Sequence, residues 1–414
     1  MKMSVDFRTR TDGEPAAFDP GKFFSDQLPA ALEANHELVM PGAGLLGLRP
    51  ITIESGGDAW SLSWDSDRVV VQAGPARGAA RVRFKDDQLA GLVSDQFTPV
   101  TFMVSGALDM PEGNIGHLLD WWLVLRGALD SRTLHTPGAV SFVDRQGEAL
   151  DLHRAFGPDE PVDEMSWFLH EAGYLHITGM FGEKEMARIA GEMDLARPSY
   201  EEGDGRSWWA TTGDGKRRVV RMQAFDERSE GAAELLQNER FLSIGAITGD
   251  GHVHAGLENN RIEALVKPIG VVEGISDVPW HKDCSLGRHS YECCSLTVGV
   301  SVTGADSDSG QLRVTAGSHR ALLWPSLIGP GCHDLPEIDL PTRTGDITAH
   351  LSCTLHMSQP PAKRERRVMY TGFRFPEPVS PEKTAARARL REVREGAYTT
   401  VSQEPAPGET AVDD

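Results

Sequence analysis

Two stretches of alternating polar and apolar residues open the patterned part of the chain. Ala59-Trp60-Ser61-Leu62-Ser63-Trp64 and Arg68-Val69-Val70-Val71-Gln72-Ala73 flank the turn Asp65-Ser66-Asp67 and predict a hairpin. Ala80 to Phe84 predicts a third strand. Lys85 to Val93 changes to a helical pattern, with Asp86 and Asp87 where acidic residues suit the positive end of the helix dipole. Val100 to Gly106 predicts a further strand, and Ile115 to Leu125 an apolar helix. Its Trp121-Trp122 pair reads as core, because aromatic rings supply much buried area. Pro137, Pro158 and Pro161 then mark a linker. Strand patterns resume at Leu296 to Val302, which is apolar and β-branched, and at Gln311 to Val314 after the turn Asp306 to Gly310. Gly345-Asp346 opens another strand toward His356, and Arg367 to Phe373 closes the series.

These shifts divide the chain into a loose segment 1–19, a first domain 20–135, a linker 136–164, a second domain 165–376 and a tail 377–414. In the tail, Lys383 to Gly396 predicts a basic amphipathic helix, followed by a disordered acidic end. A length of 414 residues calls for two or three domains, and 40% hydrophobic residues suffice for their cores. No apolar run approaches a membrane span, and residues 1–20 lack the apolar stretch of a secretion signal. The five cysteines fall between Cys284 and Cys353 without a C-x-x-C pair. That pattern predicts reduced thiols in a cytoplasmic protein. A formal charge of −20 disfavours nucleic acid and anionic membranes as partners.

The candidate chemistry centres on Trp280-His281-Lys282-Asp283 and on His356 in Thr354-Leu355-His356-Met357-Ser358. Two histidines and one carboxylate form a facial triad for non-heme iron, with the opposite face left open. On a strand, period-2 alternation would point His281 and Asp283 to one side and Lys282 away. His350 also follows Gly345-Asp346 and is the rival to His356. Arg367 follows His356 by eleven residues, and a guanidinium there suits bidentate binding of a carboxylate. Alternation lets only one of Arg366 and Arg367 face inward. Trp208-Trp209 with Lys216, Arg217, Arg218 and Arg221 form a second group, which reads either as a clamp for a carboxylate or phosphates, or as a solvated strand.

From about Trp167 to Phe375 these residues resemble the phytanoyl-CoA dioxygenase family of iron(II)/2-oxoglutarate-dependent oxygenases. Phe168 to Leu175 and Gly179-Met180-Phe181 resemble its opening helix and first strand. The H-x-D triplet, Gly310-x-Leu312-x-Val314-x-x-Gly317-Ser318-His319, Gly345-Asp346 and His356-x-Ser358 follow in its order. The resemblance implies a mainly β fold with α elements: a double-stranded β-helix (jelly-roll, cupin-like) with flanking helices. It implies that His281, Asp283 and His356 bind Fe(II), that Arg367 pairs with the distal carboxylate of 2-oxoglutarate, and that Ser358 supports it. Lys267 matches a lysine-proline step of the family. No catalytic residue is implied beyond the metal centre, and the Gly-Ser-His segment is expected to be structural. Ala316 and Pro360-Pro361 depart from the family pattern without touching a ligand position.

Residues 20–135 resemble the sterol carrier protein type 2 fold, a small α+β domain with an apolar tunnel. The combined expectation is a dioxygenase that hydroxylates a hydrophobic or acyl-type small molecule, using O2 and converting 2-oxoglutarate to succinate. Asp283 argues against halogenation, which requires a small residue there. Two alternatives stay open. One is a specialised-metabolite tailoring oxygenase with the first domain as scaffold; the other is a non-catalytic lipid carrier. A homo-oligomer also stays open.

Overall fold

The computed structural model describes residues 18–256, 261–274, 278–285, 295–328 and 333–374. The N-terminal segment 1–17, the helix expected at Lys383 to Gly396 and the acidic tail lie outside the described residues.

The first unit is α+β. Helix α1 (Pro20–Lys22) continues through a π-helical turn at Phe23–Gln27 into α2 (Leu28–Ala34), and α3 (His36–Ala43) follows. Five strands form one sheet: β1 (Ile51–Ser55), β2 (Asp58–Asp65), β3 (Arg68–Ala73), β4 (Ala80–Arg83) and β5 (Asp109–Glu112). Their order is β3-β2-β1-β4-β5, with β1 and β4 parallel and the other pairs antiparallel. The expected hairpin is β2–β3. Helices α4 (Asp86–Val93), α5 (Pro99–Val104) and α6 (Ile115–Asp130) complete the unit. Helix α5 corrects the strand expected at Val100 to Gly106. Pro99 sits at the first helical position, and the Thr98 backbone N–H donates to the Thr101 hydroxyl at 3.3 Å. This start signal and the burial of Val100 and Phe102 outweigh the β propensity of the segment. Trp121 and Trp122 are fully buried in the centre of α6, within a core that also holds Phe23, Phe24 and Trp60.

The second unit is built on eight antiparallel strands: β10 (Glu263–Lys267), β12 (Val278–His281), β13 (Ser295–Ser301), β14 (Leu312–Thr315), β15 (Glu337–Leu340), β16 (Ile347–Leu351), β17 (His356–Ser358) and β18 (Arg366–Arg374). One sheet contains β10-β18-β13-β16 and the other β12-β17-β14-β15. Counted one to eight along the chain, the orders are 1-8-3-6 and 2-7-4-5, which is a double-sheet jelly roll. The larger sheet grows by β6 (Tyr174–Ile177) at one edge and by β7 (Ser207–Thr212), β8 (Arg217–Met222) and β11 (Val271–Glu273) at the other, while β9 (Val253–His254) pairs with β18. Helices α7 (Val162–Ala172) and α8 (Glu183–Ala196) bury Phe168, Leu169, Met186, Ile189 and Met193 in the same core as Val298, Val300 and Met369.

The residues between the units are strapped to the barrel: Phe156 is fully buried, and the Trp167 indole donates to the Val143 carbonyl at 2.8 Å. Among the described residues no helix is long and apolar enough to cross a membrane.

Candidate metal centre

His281 ends β12 and His356 begins β17, and the two are direct partners in the antiparallel register. Their rings lie 4.2 Å apart between centroids. Asp283 does not share the strand with His281. The strand stops at His281, and Asp283 sits in the turn that follows. Ligand atoms of His281, Asp283 and His356 nevertheless all lie within 4.8 Å of one another. The Nδ1 of His281 is 2.8 Å from the Pro279 carbonyl, and that of His356 is 3.0 Å from the Thr354 carbonyl. A carbonyl only accepts, so each Nδ1 donates and each Nε2 presents its lone pair. Both Nε2 atoms face Asp283 Oδ1, at 3.6 and 3.5 Å.

The other carboxylate oxygen is engaged from behind. The Thr297 hydroxyl donates to Asp283 Oδ2 at 2.6 Å, and His350 Nε2 lies 3.3 Å from the same oxygen. Thr297 and His350 are register partners on β13 and β16. The two rivals for the distal position therefore occupy different places. His356 converges with His281 on Oδ1, whereas His350, buried and 4.1 Å from the His356 ring, stands on the Oδ2 side. Burial, with His350 and His281 beside it, pushes the His356 pKa well below the ordinary imidazole value. The Asp283 carboxyl is held well below the usual carboxylate range against the raising effect of burial. A neutral imidazole and an ionised carboxylate are the forms that ligate a metal. The Asp283 side chain keeps 31% of its exposure, so the cluster opens on one side. This donor set fits an iron(II) held on one face.

Lys282 points away from the cluster and is fully buried, its Nζ donating to the Ser318 carbonyl at 3.0 Å. The Ser318 hydroxyl accepts from the Leu355 backbone N–H at 2.8 Å and donates to the Thr315 carbonyl at 2.7 Å. The Gly317-Ser318-His319 turn thus braces both metal-bearing segments, as its expected structural role requires. His319 donates through Nε2 to the His170 carbonyl at 2.8 Å, and burial lowers its pKa to about 3, so it stays neutral.

A second polar cluster lies two residues beyond His356. Arg366 Nη1 donates to the Ser358 hydroxyl at 3.2 Å and to the Gly310 carbonyl at 2.7 Å, and Nη2 to the Tyr370 hydroxyl at 3.3 Å. Lys267, the register partner of Arg366 on β10, donates to the same Ser358 hydroxyl. Gly299 makes room for the Tyr370 ring, since a Cβ there would stand 2.8 Å from it. Arg366 is 4% exposed, its Nε has no hydrogen-bond partner, and no carboxylate among the described residues pairs with it. A buried charge without a counter-ion costs several kcal/mol, by order of magnitude.

Arg367, the residue expected to meet 2-oxoglutarate, takes the opposite face of β18. Its Nη1 donates to the Ala190 carbonyl at 2.8 Å and to Asp194 at 2.9 Å on α8, and its Nε to Glu365 at 2.8 Å. Period-2 alternation sends one arginine inward and one onto the helix, and the inward one is Arg366. The basic residues of β8 and of the turn before it are already engaged by acids. Arg221 makes a bidentate pair with Glu263 at 2.6 Å for both bonds, Arg217 pairs with Glu202, and Arg218 and Lys216 pair with Asp214. His289 lies outside the described residues.

A family model described as phytanoyl-CoA dioxygenase matches residues 169–368, a span that holds all three triad residues, Ser358 and Arg366. The match indicates an oxygenase dependent on iron and 2-oxoglutarate, and it stops short of the first unit. No curated protein matches the chain. Among solved structures, the epimerase SnoN in complex with Fe3+, alpha-ketoglutarate and nogalamycin RO is 19% identical, with TM-score 0.41, 51% of this chain covered and 83% of that one. AviO1 from Streptomyces viridochromogenes Tue57 is 19% identical, with TM-score 0.41 and coverage of 52% and 96%. EctD from S. alaskensis, with 2-oxoglutarate and 5-hydroxyectoine, is 15% identical, with TM-score 0.42 and coverage of 58% and 85%.

Proposed function

We propose that the protein hydroxylates a C–H bond of a small molecule at an iron(II) held by His281, Asp283 and His356, with 2-oxoglutarate as co-substrate. The observation that carries this reading is Arg366, a buried guanidinium without an acid partner that shares the Ser358 hydroxyl two residues from an iron ligand. The distal carboxylate of 2-oxoglutarate is the counter-ion such a site lacks. Arg366 offers it a charge-assisted bidentate grip, with Ser358, Lys267 and Tyr370 as further donors. Bound iron and 2-oxoglutarate supply dioxygen activation coupled to release of succinate and carbon dioxide. The chain's own task is to fix ligand geometry: the Pro279 and Thr354 carbonyls set both imidazole tautomers, while Thr297 holds Asp283 Oδ2 and leaves Oδ1 to the metal. The retained carboxylate favours hydroxylation over halogenation.

An acyl-type substrate is the reading that the matched family's description supports. The acid-paired arginines of β8 speak against a phosphate clamp there, so recognition rests on the substrate body. For residues 20–135, a sterol-carrier-like fold is compatible with the five-stranded α+β layout. The fully buried Trp121 and Trp122 favour a scaffold over a lipid tunnel, which brings the tailoring-oxygenase alternative forward. The test is anaerobic loading with Fe(II) and 2-oxoglutarate, followed by a substrate screen read as succinate released on admitting O2. Substrate-stimulated succinate release supports the reading. A loaded protein that releases none with or without substrate favours the non-catalytic carrier.

A further inference from the structure

The first unit reaches the metal-bearing segment at two points. The first is a strap formed by residues 322–326. Leu322 belongs to the core of the first unit, is 2% exposed and forms a parallel bridge with Leu134. Trp324 lies against α6, where a Cβ on Gly116 would stand 3.2 Å from its ring, and its indole donates to Asp120 at 3.1 Å. The next two residues hold the metal segment: the Pro325 carbonyl accepts from the Lys282 backbone N–H at 2.8 Å, and Ser326 bridges His281. The second point is direct. Thr98, the N-cap residue of α5, donates its hydroxyl to the Ser285 carbonyl, with both residues buried.

The turn that carries Asp283 is therefore gripped on one side by a strap packed on the first unit and on the other by Thr98 of that unit. This matters because Asp283 lies beyond the end of β12, where the barrel reaches the turn through the Thr297 hydroxyl on Asp283 Oδ2 and the Cys284 N–H on the Ser352 carbonyl, at 3.3 Å, rather than through strand pairing. A ligand on a turn is only as well placed as the turn's ends. We infer that residues 20–135 act as a positioning element of the metal centre: by docking on residues 322–326 and on Ser285 they hold Asp283 Oδ1 against the two imidazoles. This inference rests on the triad assignment proposed above. Coupling of this kind is reciprocal, so iron bound at the triad must also steady the contact.

The experiment uses the full chain. Fe(II) affinity is measured anaerobically by competition with a chelating dye for the wild type, Thr98→Val, Thr98→Ser and Leu322→Ala. Amide hydrogen exchange is followed with and without Fe(II). Loss of the Thr98 hydroxyl should weaken Fe(II) binding about tenfold, the scale seen for groups that orient metal ligands, and Thr98→Ser should restore it. Fe(II) should slow exchange at residues 98–104 and 322–326 as well as at the barrel strands. Affinity unchanged in Thr98→Val, with protection confined to the barrel, would overturn the inference while leaving the triad intact. Wild-type protein that takes up no Fe(II) would overturn both. If Leu322→Ala fails to fold, Thr98→Val and the exchange data still decide.

Discussion

Lys267 and Arg366 face each other across β10 and β18, and both side chains end on the Ser358 hydroxyl. On the function proposed above, the distal carboxylate of the co-substrate would meet Arg366 beside this hydroxyl, two residues beyond His356 on β17.

The site assigns different tasks to neighbouring arginines. Arg366→Ala should raise the 2-oxoglutarate requirement roughly 30- to 150-fold, since a charge-assisted pair contributes about 2–3 kcal/mol, and Arg366→Lys should recover only part of it. Arg367→Ala should change it by less than about threefold. That substitution loses pairs to the half-exposed Asp194 and to Glu365, with an expected cost within about 1 kcal/mol of stability. Anaerobic titration of each variant with 2-oxoglutarate separates them, and a larger loss for Arg367→Ala would invalidate the inward assignment of Arg366.

Thr297 is expected to matter chiefly through Asp283, its 2.6 Å partner, rather than through the Ser352 hydroxyl at 3.3 Å. Thr297→Val removes the donor to Oδ2 at almost constant volume and should weaken Fe(II) binding by about tenfold, while Thr297→Ser stays near wild type. Equal Fe(II) affinities for Val and Ser at this position would show that the hydroxyl does not orient the carboxylate.

Asp120, the acceptor of the Trp324 indole, makes the stability of the fold dependent on pH. Burial raises its pKa from 3.8 to about 6, against the lowering effect of the Trp324 hydrogen bond. With the folded value above the unfolded one, the neutral carboxyl's contribution is fully present below pH 3.8 and is lost as pH rises to about 6. Asp120→Asn keeps an acceptor for the indole and carries no charge. It should therefore stabilise the protein at pH 7.5, by no more than about 1 kcal/mol given partial solvent screening, and give no advantage below pH 4. Urea unfolding at the two pH values checks the sign; an advantage independent of pH would contradict it.

The sequence carries the barrel and the triad well because both are written in local patterns. A continuous apolar, β-branched run marks β13, and H-x-D and H-x-S keep their residue types at fixed spacing. The errors fall where a choice depends on tertiary packing. Val100 to Gly106 has a strand-like composition, and the cap at Thr98-Pro99 with packing against α6 makes it a helix. Arg366 and Arg367 are equivalent in one dimension; only the position of α8, with Asp194 aimed at β18, selects which turns outward. The docking of Leu322 and Trp324 into the first unit has no sequence signature, because the two sides lie some 200 residues apart.

The central claim is that His281, Asp283 and His356 hold one iron(II) that accepts 2-oxoglutarate. Its most direct test is the weak visible charge-transfer band of the anaerobic iron–2-oxoglutarate complex, recorded for the wild type, His356→Ala and His350→Ala. The account predicts a band saturating at one Fe(II) per chain in the wild type, no band in His356→Ala, and a band that persists in His350→Ala at higher Fe(II). A band of wild-type strength in His356→Ala, or one lost only in His350→Ala, would contradict it.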